Sequence, residues 1–258
     1  MQFNWEFFAQ HLFVPSATFL HGLMLTVVIS VVSQILGSGI GLLAALLRIS
    51  RLRTLSAVTG LYVWLMRGTP LLVQIVFIYT GFAAANLFRF TDISVGPMVI
   101  PANVQAGILA LSLNEGAYMA EIIRAGIAGV DTGQAEAARA LGMPPTLLMR
   151  RIVLPQTLRL IIPPIGNQFN IMLKNSTLVS IIGVPELLLI TQTINSATFR
   201  TFELYGVVAL YYLMLTTAWT FVQSRIEARY AAIGQHRVRP RPGWWRFKAV
   251  QRAGGAGP

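Results

Sequence analysis

Residues 20–47 read LHGLMLTVVISVVSQILGSGIGLLAALL, and this stretch decides the fold class. It holds no Asp, Glu, Lys or Arg, and the charge-free run reaches back to Phe7. A helix crossing about 30 Å of hydrocarbon needs roughly 20 mainly apolar residues. The stretch therefore predicts a first membrane span that ends where Arg48, Arg51 and Arg53 begin. Composition agrees. Of the 258 residues, 55% are hydrophobic and 11% charged, against roughly 25% charged in a soluble domain. The expected fold is all-α, a polytopic integral membrane protein.

Before this span, Phe3, Trp5, Phe7 and Phe8 with Glu6 suggest an interfacial segment over residues 1–19. No Lys or Arg precedes Arg48, which argues against a secretory signal peptide. After the span, Leu55–Met66 is apolar but short, and Arg67-Gly68-Thr69-Pro70 should break it. It reads as an interfacial or cytoplasmic segment leading into a second span, Leu71–Ala85. A third span is expected over Pro101–Gly129 and a fourth over Gln156–Lys174, interrupted at Pro163 and Pro164. A further apolar piece, Thr177–Leu189, follows, and a fifth span covers Leu204–Ser224. About five transmembrane helices thus occupy a domain over residues 20–227, with a polar loop at 131–155 and a basic tail over 228–258.

The net charge is +11, but the basic residues are not arranged for nucleic acid. Arg225, Arg229, Arg237, Arg239, Arg241, Arg246, Lys248 and Arg252 gather after the last span, a cytoplasmic flank suited to anionic lipid. With five spans, this cluster shares a side with Arg48, Arg51, Arg53, Arg139, Arg150, Arg151 and Arg159. The other side holds only Arg89 and Arg200. The positive-inside rule then places the N-terminus outside and the C-terminus in the cytoplasm. The chain has no Cys, and His11, His21 and His236 make no ligand spacing, so no metal site is expected. No phosphate loop, Ser-His-Asp grouping or H-E-x-x-H occurs, which argues against an enzyme and against ATP bound by this chain.

The polar loop is the most informative segment. Glu136-Ala137-Ala138, then Gly142, then Ile152-Val153-Leu154-Pro155 follow at fixed spacing. Ala137, Ala138 and Ala140 give a short helix a small-residue face, and Glu136 offers a charged handle. Gly142 permits a turn that a bulkier residue resists. Pro144 and Pro145 favour a new helical start. Two short helices at an angle would make a rigid knob beneath the membrane.

The spacing EAA-x3-G-x9-I-x-LP resembles the loop of ABC importer permease subunits. Met66-Arg67-Gly68-Thr69-Pro70-Leu71-Leu72-Val73-Gln74 is similar to a signature of the polar amino-acid branch, which takes histidine, glutamine, arginine, glutamate or cystine. So are Ala117–Ile122 with Arg124, and Leu173–Leu187. The likeness covers about Gly22 to Glu227. It implies a type I ABC importer permease fold in a bacterial cytoplasmic membrane. It implies that Glu136, Ala137, Ala138, Gly142, Ile152, Leu154 and Pro155 couple to a separate ATPase, which carries the ATP and Mg. Its further partners would be a second permease copy or paralogue and an extracytoplasmic substrate-binding protein. Pro144-Pro145 and the long basic tail depart from the pattern.

Polar groups inside a span are costly and usually functional. Asn114, Tyr118 and Glu121 recur at helical spacing, with Glu115 on the next face. Lys174, Asn175, Ser176 and Thr177 gather where the fourth span should break, and broken helices can hold a zwitterion. The expected substrate pathway joins Asn114, Glu115 and Tyr118 to Asn175 and Thr177. Arg67, Glu121, Arg124 and Lys174 read as structural or gating charges, with Glu121 and Arg124 close enough to pair. Gly37 and Gly41 form a G-x-x-x-G pair suited to helix packing. A transporter driven by an ion gradient would also use such spans but leaves the loop without a role. A membrane enzyme or scaffold explains still less.

Overall fold

The computed structural model describes residues 3–50 and 52–232. A short helix, α1 (Trp5–Phe13), precedes the long α2 (Ala17–Ile49), which starts on Ser16 as N-cap, three residues before the expected span. Then come α3 (Arg53–Gly68) and α4 (Leu71–Ala84), which meet at 110°. A small antiparallel hairpin follows, β1 (Ile93–Val95) and β2 (Met98–Ile100), a minor addition to an otherwise helical chain. The rest is α5 (Ala102–Ala128), α6 (Thr132–Ala140), the continuous run α7 (Pro145–Ile182), α8 (Leu187–Thr198) and α9 (Thr201–Ala232). The tail beyond residue 232 and Arg51 lie outside the described residues.

By length and apolar composition, α2 and α9 qualify as single spans, and counting each of the bent pairs α3–α4 and α7–α8 as one span brings the number to as many as four. The fifth is α5. Its 27 residues reach about 40 Å at 1.5 Å each. It is less apolar than the others, carrying Asn114, Glu115, Glu121 and Arg124, and as the centre of the bundle it faces protein nearly all round. Ala106, Ala110, Leu111, Ala117 and Met119 are fully buried on it.

Glycines set the closest approach, between α2 and α5. A Cβ on Gly37 would stand 2.6 Å from the Glu115 Cβ, and one on Gly41 would stand 2.3 Å from the Met119 Cβ. Both positions of the G-x-x-x-G pair therefore face α5. Outer surfaces remain apolar, as at Leu36, Leu43 and Leu46 of α2 and Phe221 and Val222 of α9. Lipid-facing helices need no polar outer face.

Two expectations are corrected. The segment Leu55–Met66 does not lie flat beneath the bundle. As part of α3 it packs Val63 against Ala44, Ala117 and Ala120. The Tyr62 hydroxyl donates to the Leu113 carbonyl at 2.6 Å, near the middle of α5. So α3 climbs to mid-bundle and α4 continues along the other half, one crossing in two pieces. The second correction concerns Pro163 and Pro164, which sit inside an unbroken helix, Leu154–Asn175. Neighbouring α9 closes on that region: Trp219 Nε1 donates to the Gly166 carbonyl at 2.7 Å and Gln223 Nε2 to the Pro163 carbonyl at 3.3 Å. The chain turns instead at Gly183, whose φ of +78° suits glycine.

That turn is fixed by Glu186, a buried carboxylate and the N-cap of α8. It accepts from the Leu188 and Leu189 amides at 2.9 Å each and from the Tyr212 hydroxyl at 3.2 Å. Thr26 of α2 completes the join by accepting from the Leu187 amide at 3.1 Å.

Candidate functional site

At one end of the bundle, α6 projects as a knob between α5 and α7. Asp131 caps its start by accepting from the Gly133 amide at 2.8 Å. Its end is a Schellman turn. The Gly142 amide donates to the Arg139 carbonyl at 2.9 Å and the Met143 amide to the Ala138 carbonyl at 3.0 Å. This geometry needs a left-handed residue, and Gly142 has φ +77°. Ala138 is buried while Glu136 and Ala137 are exposed, so the Glu-Ala-Ala triplet presents two of its three side chains outward. Leu141, 89% exposed, stands at the tip.

The expected second short helix is not separate. Pro145 opens α7, which passes through a π-helical turn at Met149–Val153 and continues as the membrane-crossing helix. Pro155 cannot donate a backbone hydrogen bond, and the wide turn lies just before it. Ile152, Leu154 and Pro155 thus belong to the foot of α7. Gln156 Nε2 donates to Gln134 Oε1 on α6 and to the Ile152 carbonyl, both at 2.9 Å. The knob is thus tied to the foot of a membrane-crossing helix.

A polar cavity of about 300 Å³ lies at mid-bundle, lined by Thr69, Pro70, Leu71, Asn114, Tyr118, Gln168, Ile171 and Asn175. The structure brings Asn114, Tyr118 and Asn175 together here. Glu115 is outside the lining, because its position on α5 turns it toward α2 and α7. It is 2% exposed and accepts from Gln34 Nε2 and Gln168 Nε2 at 3.1 Å each. Thr177 is also outside, its hydroxyl donating to the Lys174 carbonyl at 2.7 Å. Lys174 itself is exposed.

The cavity wall is held by groups that the sequence reading left without roles. Gln74 Nε2 donates to the Met66 carbonyl at 2.8 Å and to Thr69 Oγ1 at 2.7 Å, closing the bend between α3 and α4. Asn114 Nδ2 donates to the same Met66 carbonyl and to Gln74 Oε1, both at 3.0 Å. A signal was available for Gln74, a lone polar side chain inside the apolar run Leu71–Phe77; Gln34 and Gln168 stand beside other polar residues, Ser33 and Asn167, and gave none.

Between cavity and knob lies an ionic group. Glu121 pairs with Arg48 of α2 and, at 2.9 Å, with Arg124 one turn along α5. The Arg67 guanidinium lies over the Tyr118 ring, 5.3 Å from its centroid, a cation–π contact.

Comparison with known proteins accords with this geometry. The family described as "Binding-protein-dependent transport system inner membrane component" matches residues 37–232. The glutamine transport system permease protein GlnP of Escherichia coli is 34% identical, over 89% of this chain and 98% of its own length. The arginine transport system permease protein ArtQ of Bacillus subtilis is 34% identical, over 84% of this chain and 94% of its own. Among solved structures, an amino acid ABC transporter with histidines matches with TM-score 0.76 and 36% identity. That match covers 89% of this chain and all of the solved one. The MetNI methionine ABC transporter matches with TM-score 0.64 at 22% identity, a likeness of fold, over 83% and 96% of the two chains. The knob, the five crossings and these likenesses agree: the chain belongs to the family of inner-membrane components of binding-protein-dependent transport systems.

Proposed function

We propose that this chain is the permease subunit of an ATP-driven importer for a polar amino acid. The observation that carries the reading is the knob α6, capped by its Schellman turn and bonded through Gln134 and Gln156 to the foot of α7. A rigid exposed helix joined to a membrane-crossing helix suits a part that a separate motor grips. That motor is a pair of ATP-binding subunits holding the ATP and Mg. Glu136, Ala137, Ala138, Gly142, Ile152, Leu154 and Pro155 form the coupling element.

Asn114, Tyr118 and Asn175 line the solute pathway, and Glu115 stands one side chain behind it. Arg67, Glu121 and Arg124 form a charged collar between pathway and knob.

The permease works as a dimer with a second copy or a paralogue, receives solute from an extracytoplasmic binding protein, and sits in lipid of a bacterial cytoplasmic membrane. The knob side faces the cytoplasm in this reading; support comes from Arg48, Arg139, Arg150, Arg151, Arg225 and Arg229, which lie toward that side. The N-terminal α1 packs at the opposite end, where the Asn4 amide donates to Glu203 at 2.8 Å.

The test is reconstitution with the ATPase and the binding protein. Labelled polar amino acids are offered to proteoliposomes with and without ATP and vanadate. The reading expects uptake of at least one that needs ATP and stops with vanadate. Uptake driven by an ion gradient without the ATPase would overturn it.

A further inference from the structure

We infer that Gln168 and Asn114 form a paired oxygen site for the solute's ammonium group, with Glu115 and Gln74 as positioning residues; this rests on the cavity being the solute pathway. Two of the three amides on this wall, Asn114 and Gln168, have their nitrogen ends committed; the third is Asn175. The Met66 carbonyl can only accept a hydrogen bond, so Asn114 must turn its Nδ2 toward it, and the same nitrogen serves Gln74 Oε1. With Glu115 taken as ionised, which is part of the inference, its carboxylate also only accepts, so Gln168 turns its Nε2 toward it. Chemistry thus fixes both amide orientations, and each keeps its carbonyl oxygen as the free end.

Gln168 and Asn114 line the same cavity, and no charged side chain shares that lining. The carbonyl oxygens of Asn114 and Gln168 thus offer the cavity two acceptors with no cation beside them. Behind it stands Glu115, whose described partners are two glutamine amides and no cation. When ionised, it puts a negative charge one side chain from the cavity, and a low-dielectric surround transmits that field with little screening. Carbonyl oxygens backed by a buried carboxylate suit a donor group bearing positive charge. An amino acid's ammonium is such a group. Gln34 keeps Glu115 aimed, and the packing of Gly37 against the Glu115 Cβ leaves that side chain little room to swing. Glu115 thus acts through Gln168 and does not itself touch the solute.

The test uses the permease with its ATPase subunits in nanodiscs, without binding protein, and measures equilibrium binding by titration calorimetry. The probes are L-glutamine, L-histidine and L-arginine, each beside its counterpart lacking the α-amino group. The inference expects at least one amino acid to bind about tenfold or more tightly than its counterpart, the size of a charge-assisted hydrogen bond. In Gln168→Leu that preference falls toward one, while binding of the amino-free acid persists. In Glu115→Gln, where the replacement amide can offer either end, the preference also falls. The persisting acid is an internal check on folding. An unchanged preference in both variants would overturn the inference. So would the absence of any preference in the native complex, even where the same preparation, given binding protein and ATP, imports an amino acid. Failure of that import would instead count against the permease reading itself.

Discussion

Asn114 in the middle of α5 donates to the carbonyl of Met66 at 3.0 Å, at the point where the crossing formed by α3 and α4 changes direction. A bend of 110° leaves backbone carbonyls without helical partners, and in a bilayer these must be met by protein. Asn114 and Gln74 meet them together.

Asn114→Leu or Gln74→Leu should each therefore destabilise the protein by about 1–3 kcal/mol, the cost of a buried group left unpaired. The double variant should cost clearly less than the sum, because both residues serve one network. Thermal unfolding in detergent measures the three values, and strict additivity would contradict a shared role.

The Schellman turn after α6 requires left-handed backbone at Gly142. Replacement by Ala costs about 1–2 kcal/mol locally. That cost falls on the knob and not on the bundle, so melting should barely move while the ATPase retained on purification drops severalfold. Equal loss of bundle stability and ATPase binding would assign Gly142 a different role.

Gly41 and Gly39 offer a paired comparison on α2. A Cβ on Gly41 would meet the Met119 Cβ at 2.3 Å, whereas one on Gly39 meets nothing within 4 Å. Gly41→Ala should cost about 1–3 kcal/mol by overpacking, and Gly39→Ala should leave melting unchanged or slightly raised. Similar melting for the two variants would show that α2 and α5 are not packed as described.

Glu186 caps α8 from a fully buried position. Glu186→Ala leaves two backbone amides and the Tyr212 hydroxyl without an acceptor, at about 1–3 kcal/mol for each group left bare. Glu186→Gln keeps one oxygen and should lose less. Yield and melting of the two variants measure the difference, and an Ala variant as stable as the native chain would contradict the cap.

Much of this was legible beforehand, for physical reasons. Spans such as Leu20–Leu47 announce themselves because lipid demands a long apolar run, and the arginines after them mark the ends. The knob was legible because Gly142 follows a run of alanines at the distance a capped two-turn helix needs. The climb of α3 was hidden because α3 is too short to span, and its course depends on small residues elsewhere, Ala117 and Ala120. Pro163 and Pro164 signal a break locally, yet contacts from Trp219 and Gln223, more than fifty residues away, support a continuous helix. For the cavity, helical spacing set Glu115 on a different face from Asn114 and Tyr118. Gln168 could not be placed beside them without the packing of α7 on α5.

The most direct measurement is the ratio of solute imported to ATP hydrolysed, by the complete reconstituted importer, for the native chain and for a variant with residues 136–142 scrambled. If the knob transmits ATPase closure to the cavity, the variant loses nearly all import, and hydrolysis by whatever ATPase remains attached proceeds without it. Import at the native ratio with the knob scrambled, or import with no ATPase present, would contradict that mechanism.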